Sequence, residues 1–255
     1  MYTLKKSLGQ HFLRDENIVR KIMEALTHTS FTQLLEVGPG GGALTRHLLT
    51  LPGIDFKAVE LDKEKVEYLL REFPALSGKL LHLDFLKMEI PFTGRFTVVG
   101  NFPYNISSQI LFTMLEWRSS LETMVGMFQK EVAQRAAAAS GSKTYGVLSV
   151  LIQAFFTVDY LFDVSPGCFD PPPKVMSGVI RLTPRKDIPA MRSEADFTLL
   201  VKTAFGQRRK TLRNALKPLF DAAVLQDPLF DKRAEQLRVE DFGALSFRML
   251  ARGNA

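Results

Sequence analysis

Four consecutive residues, Asn101-Phe102-Pro103-Tyr104, bring together a side-chain amide, a proline and an aromatic ring. That set suits a planar amine. The exocyclic nitrogen of adenine is a poor nucleophile because its lone pair is delocalised into the ring, and no strong base is needed to correct this. Two acceptors suffice, the Asn101 side-chain oxygen and the Phe102 carbonyl, if they hold both amine hydrogens out of the ring plane and turn the lone pair toward an electrophile. Pro103 adds no competing N–H and fixes its own φ. Tyr104 offers a face on which a base can stack. The same residues also make an ordinary turn with a packed Tyr, since Asn and Pro are common loop residues.

A second group of residues points to a cofactor. Glu36-Val37-Gly38-Pro39-Gly40-Gly41-Gly42 follows an apolar run and precedes a helical pattern. Glycines such as Gly38 and Gly40 let the backbone turn tightly and let a ligand approach without a Cβ in the way. Glu60 ends the next apolar run, 22 residues after Gly38, where a carboxylate can accept hydrogen bonds from both hydroxyls of a ribose. The combination predicts a nucleoside cofactor and does not separate a dinucleotide from S-adenosylmethionine. The plainer alternative is a glycine-rich turn beside a solvated strand end. Asp84 follows the third run at the same edge, where its carboxylate can accept from an adenine amino group or cap a turn.

Other residues carry two readings each. Phe169, stiffened by Pro171-Pro172-Pro173, is either an exposed aromatic beside the pocket or a core residue before a final strand. Lys174 meets a phosphate or is merely solvated. Cys168 is the one cysteine and has no partner in this reading, which excludes a disulfide framework and a Cys-based zinc site and fits a reducing compartment. No metal site is expected. Arg209 to Phe220 reads as a helix in which Arg209 and Arg213, spaced i, i+4, share a face. Arg208, Arg209, Lys210 and Arg213 then point outward as a candidate RNA-binding surface, while Leu212, Ala215 and Leu216 pack inward. Nearby acids are absent, which weighs against a merely solvated face. Lys5, Lys6 and Arg14 are candidates for a second basic patch. Met114, Trp117 and the Ala136–Ala139 run read as structural.

Regular elements must position these groups. Gln33–Val37, Phe56–Glu60, Lys79–Leu83, Phe96–Val99, Thr123–Phe128 and Gly178–Leu182 read as strands. Helical patterns cover Asn17–Leu26, Leu44–Leu51, Lys63–Phe73, Ser107–Trp117 and Lys130–Ala139. Such alternation predicts an α/β fold, a mostly parallel sheet with helices on both faces. Its ligands sit beyond the carboxyl ends of the strands. Thr183–Pro189, with two prolines and mixed charge, reads as a linker. Beyond it only helical signals appear, such as Phe197, Leu200, Val201 and Ala204 at i, i+3, i+4, i+7, with further helices at Lys232–Leu237 and Asp241–Ala251. The predicted domains are residues 1–184 and 185–255.

The second domain holds 14 Lys and Arg against 9 Asp and Glu, +5 of the net +6. A basic module on a near-neutral one suggests a polyanion partner, nucleic acid first. A chain of 255 residues can bury a core without staples, and 46% hydrophobic with 24% charged residues excludes a disordered or fibrous chain. The longest apolar stretch, Val147–Phe156, is too short to span a bilayer. No apolar segment follows Lys5-Lys6, so no secretory signal is expected.

Five motifs occur in order: Gly9-Gln10-His11-Phe12-Leu13, Glu36 through Thr45, Glu60-Leu61-Asp62, Asn101 through Ser107, and Phe169-Asp170-Pro171-Pro172-Pro173-Lys174-Val175. Together they closely resemble the ribosomal RNA adenine N6,N6-dimethyltransferase family, its bacterial small-subunit branch above all, over essentially the whole chain. The resemblance implies a Rossmann-like class I methyltransferase domain with a small all-helical C-terminal domain. It implies S-adenosylmethionine as the methyl donor and transfer of two methyls to each of two adjacent adenosines in the 3′-terminal hairpin loop of small-subunit (16S) rRNA, with a role in subunit biogenesis. It implies cofactor contacts at His11, Leu13, Gly38, Glu60, Asp84 and Asn101, and a target base flanked by Tyr104 and Phe169. His11 stands where many members carry Asn, and either side chain can hydrogen-bond. Phe102 stands where Leu is common, which leaves its backbone carbonyl unaffected.

The implied partners are small-subunit rRNA and the immature small ribosomal subunit. A cytoplasmic monomer without membrane attachment is expected. The nearest rival modifies large-subunit rRNA, and the Phe169–Val175 segment and full helical tail disfavour it. A nicotinamide dehydrogenase has no use for Asn101–Tyr104. A non-catalytic assembly factor would not need Glu60, Asp84 and Asn101–Tyr104 intact, although both roles can coexist.

Overall fold

The computed structural model describes residues 11–251, so Lys5, Lys6, Gly9 and Gln10 lie outside the described residues. The chain divides into two compact units. The first runs to Gln134 and resumes over Thr157–Pro184; the second comprises Arg135–Phe156 and the chain from Arg185 on. The segment 135–156 therefore departs from a contiguous domain over residues 1–184.

The first unit follows the chain as β1 (Phe12–Leu13), α1 (Glu16–Thr27), β2 (Gln33–Val37), α2 (Thr45–Leu48), β3 (Asp55–Glu60), α3 (Lys63–Glu72), β4 (Leu80–His82), β5 (Phe96–Asn101), α4 (Ser107–Trp117), β6 (Leu121–Gln129) and α5 (Lys130–Ala136). After α6 (Val147–Gln153) of the second unit come β7 (Phe156–Val164), β8 (Phe169–Asp170) and β9 (Ser177–Pro184). A seven-stranded sheet has the order β4-β3-β2-β5-β6-β9-β7. The pairs among β2 to β6 are parallel, and β9 runs antiparallel to β6. Strands buried on both faces need apolar residues at every position, and Leu34, Leu35, Val98, Val99 and Met124 through Phe128 supply them. Strand β7 has no such run: its middle, with polar Asp159 and Tyr160, is half-buried and Asp163 near its end is exposed, so it carries little signal in sequence.

Helix α1 begins where Asp15 accepts hydrogen bonds from the Asn17 and Ile18 amides, and it buries Ile18, Val19, Ile22, Ala25 and Leu26 on one face. The other Asp15 oxygen accepts from the Cys168 thiol at 3.5 Å. Cys168 thus has a partner after all, 153 residues away. A small second sheet pairs β1 with β8, Leu13 opposite Phe169.

In the second unit α6 packs against α7 (Glu194–Gly206), followed by α8 (Leu212–Ala215) and α9 (Val239–Ser246). Phe197, Leu200, Val201 and Ala204 are buried as their spacing requires. Val150, Leu151 and Ile152 of α6 are buried too. Their face is satisfied by helices far along the chain, which is why 135–156 groups with residues beyond 185. The described residues beyond 185 form helices and turns without strands. Lys232–Leu237 holds one short 3-10 turn, Ala234–Gln236, rather than an α-helix.

Phe102 explains two glycines that sequence reading passed over. Its ring is 1% exposed and lies against Gly100 and Gly126, where a Cβ on either would collide with it. Gly126→Ala is expected to push this ring aside and cost about 1–3 kcal/mol, as overpacking does. Urea denaturation checks it against Gly206→Ala, where a Cβ meets open space.

Candidate functional site

Strand order reverses at β2, whose neighbours are β3 on one side and β5 on the other. Such a switch point leaves a crevice beyond the carboxyl ends of the strands. A cavity of about 480 Å³ opens there, within the usual range for small-molecule sites. The register sets its walls: Val37 pairs with Val59, the Gly38 amide donates to the Val59 carbonyl at 2.9 Å, and Glu36 pairs with Val99. Gly38, Glu60 and Asn101 are thereby brought to adjacent strand ends.

His11, Leu13, Gly38, Gly40, Glu60 and Asn101 all line this cavity, as do Phe102, Pro103 and Tyr104. Gly38 and Gly40 adopt φ of +69° and +58°, a region that disfavours any other residue. The Phe12 ring covers the loop, 3.4 Å from where a Cβ of Gly40 would stand. Glu60 is held by its own turn: Oε1 accepts from the Leu61 and Asp62 amides at 3.0 and 3.1 Å. Its Oε2 is buried without a hydrogen-bond partner. A buried acceptor left without a donor is rare, and a ribose hydroxyl supplies one.

Glu36 is a site residue that the motif hid. It lines the cavity, is 1% exposed, and accepts a hydrogen bond from Thr45 Oγ1 at 2.7 Å. Burial pushes its carboxyl up to about 8; the Thr45 bond opposes this and the charge of Glu60 adds to it. Between the ordinary Glu range and that value the native chain keeps a proton that the unfolded chain has lost. Glu36 therefore lowers stability as pH rises through this window. Glu36→Gln still accepts from Thr45, so its melting temperature should fall less than the parent's between about pH 5 and 8. An identical pH slope would clear Glu36 of this effect.

The Asn101 amide nitrogen donates to the His11 carbonyl at 3.1 Å, which leaves Oδ1 as an acceptor. The His11 ring nitrogen Nδ1 is 2.8 Å from the Pro171 carbonyl and donates to it. Phe102 lines the cavity and is almost wholly buried. The Tyr104 hydroxyl is 2.5 Å from Ser177 Oγ, and its ring lies 5.6 Å from that of His11. Burial pushes the Tyr104 phenol up, against the Ser177 bond. Ser177, wholly buried at the start of β9, was invisible in sequence because its partner is 73 residues away.

Three predicted groups are placed apart from this cavity or differently from their simplest reading. Phe169 is 4% exposed and belongs to the hydrophobic core with Leu13, Val164 and Val179, outside the cavity wall. Pairing β8 with β1 turns its ring inward, and Asp170 reaches the cavity in its place. Asp84 also stands outside the wall. Its Oδ1 caps the turn Phe85–Lys87 by accepting from the Leu86 amide at 3.0 Å, and its Oδ2 lies 3.7 Å from Lys87 Nζ.

The third is the basic helix, which is broken. Residues 207–210 form a turn between α7 and α8, closed by the Lys210 amide on the Gln207 carbonyl at 2.8 Å. The i, i+4 argument holds only within one helix. Arg208, Arg209 and Lys210 are exposed, with Arg208 donating to the Lys143 carbonyl. Arg213 instead binds Asp231 Oδ1 at 2.7 Å, an acid 18 residues along. Elsewhere Arg14 lines the cavity and pairs with Asp170 at 3.1 Å, while Lys174 is exposed. Met114, Trp117, Ala136 and Ala138 are buried. Among the described residues no His, Cys, Asp and Glu cluster suits a metal ion, and no helix is long and apolar enough to cross a membrane.

The chain is similar to known proteins over nearly its whole length. The model of the family described as ribosomal RNA adenine dimethylase matches residues 1–250. The chain is 50% identical over 242 residues to the ribosomal RNA small subunit methyltransferase A of Cytophaga hutchinsonii, covering 93% of this chain and 94% of that one. It is 49% identical over 253 residues to the protein of the same name from Flavobacterium johnsoniae, covering 98% and 97%. Among solved structures, a dimethyladenosine transferase from Plasmodium falciparum superposes with a TM-score of 0.77 at 25% identity, covering 91% of this chain and 94% of that one. The 23S rRNA methyltransferase ErmE does so at 0.72 and 25%, covering 93% and 99%.

Proposed function

Because the chain belongs to the ribosomal RNA adenine dimethylase family, we propose that it dimethylates the N6 amines of two adjacent adenosines in the 3′-terminal hairpin loop of small-subunit rRNA, with S-adenosylmethionine as methyl donor. The identity near 50% to small-subunit enzymes, against 25% to a 23S enzyme, supports the choice of subunit. The cavity residues fit the adenosyl group: Glu60 Oε2 lacks a donor, and the loop at Gly38 and Gly40 keeps side chains out of the approach. Bound there, S-adenosylmethionine supplies an electrophilic methyl.

The protein's own part is placement. Asn101 Oδ1 and the Phe102 carbonyl accept the two N6 hydrogens, which frees the nitrogen lone pair from the ring. The Asn101 amide stays tied to His11, so its oxygen does not swing away. Tyr104 stacks on the base from a ring held by Ser177. One chain supplies every residue named, which fits a monomer; its proposed substrate is the immature small subunit, in the cytoplasm.

The observation that carries this reading is the Asn101–His11 bond at 3.1 Å, which leaves the Asn101 side-chain oxygen as a free acceptor in the cavity wall. Its test is methyl incorporation into undermethylated small subunits, with the product bases mapped. Methylation only of large-subunit rRNA would overturn the choice of substrate.

The exposed turn at Arg208, Arg209 and Lys210 is proposed to meet rRNA phosphates. Reversing Arg209 and Lys210 to Glu should weaken RNA binding and make log K less steep in log salt by about one unit per lost phosphate contact. Arg213→Glu should instead lower thermal stability, since it repels Asp231. Filter binding at several salt concentrations checks the first, and a parent-like slope would reduce the turn to a solvated surface.

A further inference from the structure

Lys65 lies on α3 among its buried residues. Its side chain is 11% exposed, and it lines the same cavity as Glu60. Its Nζ lies 3.7 Å from Glu60 Oε2 and 5.8 Å from the centre of the Phe12 ring that covers the glycine loop. The 3.7 Å gap is too long for a hydrogen bond, and among the described residues Nζ makes none. Two unmatched groups therefore stand side by side. Glu60 Oε2 is an acceptor without a donor, and the Lys65 ammonium has three donors and no acceptor. Taking an ammonium out of water is costly, and an ion pair of loose geometry returns only part of that cost. One hydroxyl group satisfies both sides, because it donates and accepts at once. An oxygen at about 2.8 Å from each atom fits over a gap of this length.

We propose that Lys65 is a second ribose-reading residue: it donates to a hydroxyl oxygen whose proton Glu60 accepts, so that the pair recognises a sugar hydroxyl as donor and acceptor together. This rests on the reading that the cavity takes an adenosyl ligand. A purely structural ion pair would hold Glu60 in place and be indifferent to which sugar hydroxyls a ligand carries.

The test is calorimetric titration of the full chain with S-adenosylhomocysteine and with its 2′-deoxy and 3′-deoxy analogues. The proteins are the parent, Lys65→Met and Glu60→Gln, with melting temperatures recorded for each. Lys65→Met should weaken binding of the parent ligand about tenfold. Against one of the two deoxy analogues that loss should shrink to less than about twofold, because the hydroxyl it reads is already gone. Should Lys65→Met not fold, Lys65→Gln, too short to reach, gives the same comparison. An equal loss for all three ligands, or no loss at all, overturns the proposal. Where Glu60→Gln weakens binding and Lys65→Met does not, only this inference falls. Where Glu60→Gln leaves affinity unchanged, the adenosyl reading of the cavity falls and this proposal with it.

Discussion

Asn101→Ala is expected to lower methyl transfer at least about a hundredfold while leaving the affinity for the small subunit near that of the parent. Positioning can supply several kcal/mol of a barrier, and a misplacement of about 1 Å costs on the order of a hundredfold. Asn101 does its placing with one oxygen, and that oxygen is aimed because the amide nitrogen is held by the His11 carbonyl at 3.1 Å. Alanine removes the acceptor and the tether together. Affinity for the subunit comes mainly from phosphate contacts spread over basic surface, which this substitution does not touch. Single-turnover methylation with S-adenosylmethionine saturating, beside subunit binding, separates the two. A variant that methylates at near the parent rate would mean that the amine is oriented elsewhere.

Glu60→Gln is expected to weaken S-adenosylmethionine by roughly 10-fold to 100-fold, the range for losing a hydrogen bond to a charged group. The substitution is nearly isosteric. Its remaining carbonyl oxygen can still accept from the Leu61 and Asp62 amides, so the turn survives. What changes is the second position, where an oxygen lacking any donor becomes an NH2 that cannot accept from a hydroxyl. Lys65, 3.7 Å away, would also face a group of the wrong polarity. Titration calorimetry on the apoprotein reads the loss directly, and unchanged affinity would remove Glu60 from the site.

Much of this site is local in sequence and was legible there. Positions of β2, β3 and β5 follow from apolar runs, and a parallel sheet puts their carboxyl ends on one edge. Gly38, Glu60 and Asn101 therefore had to meet once the fold class was right. The turn at Glu60 and the left-handed glycines are likewise decided within a few residues, by backbone sterics and local hydrogen bonds. The placement of Phe169, Ser177, Lys65 and Arg213 is of another kind. Periodicity tells which face of an element is apolar, not what that face will meet. Phe169 turned inward because β8 pairs with β1, at the other end of the unit's chain. Arg213 lost its place on a basic face because Asp231 folds back onto it. Helix α6 joins the second unit because its buried residues meet α7. Asn101 gains its aim from His11, 90 residues earlier. Each of these depends on a contact between segments far apart in the chain, and such contacts exist only when the whole fold packs, because no local propensity encodes the partner.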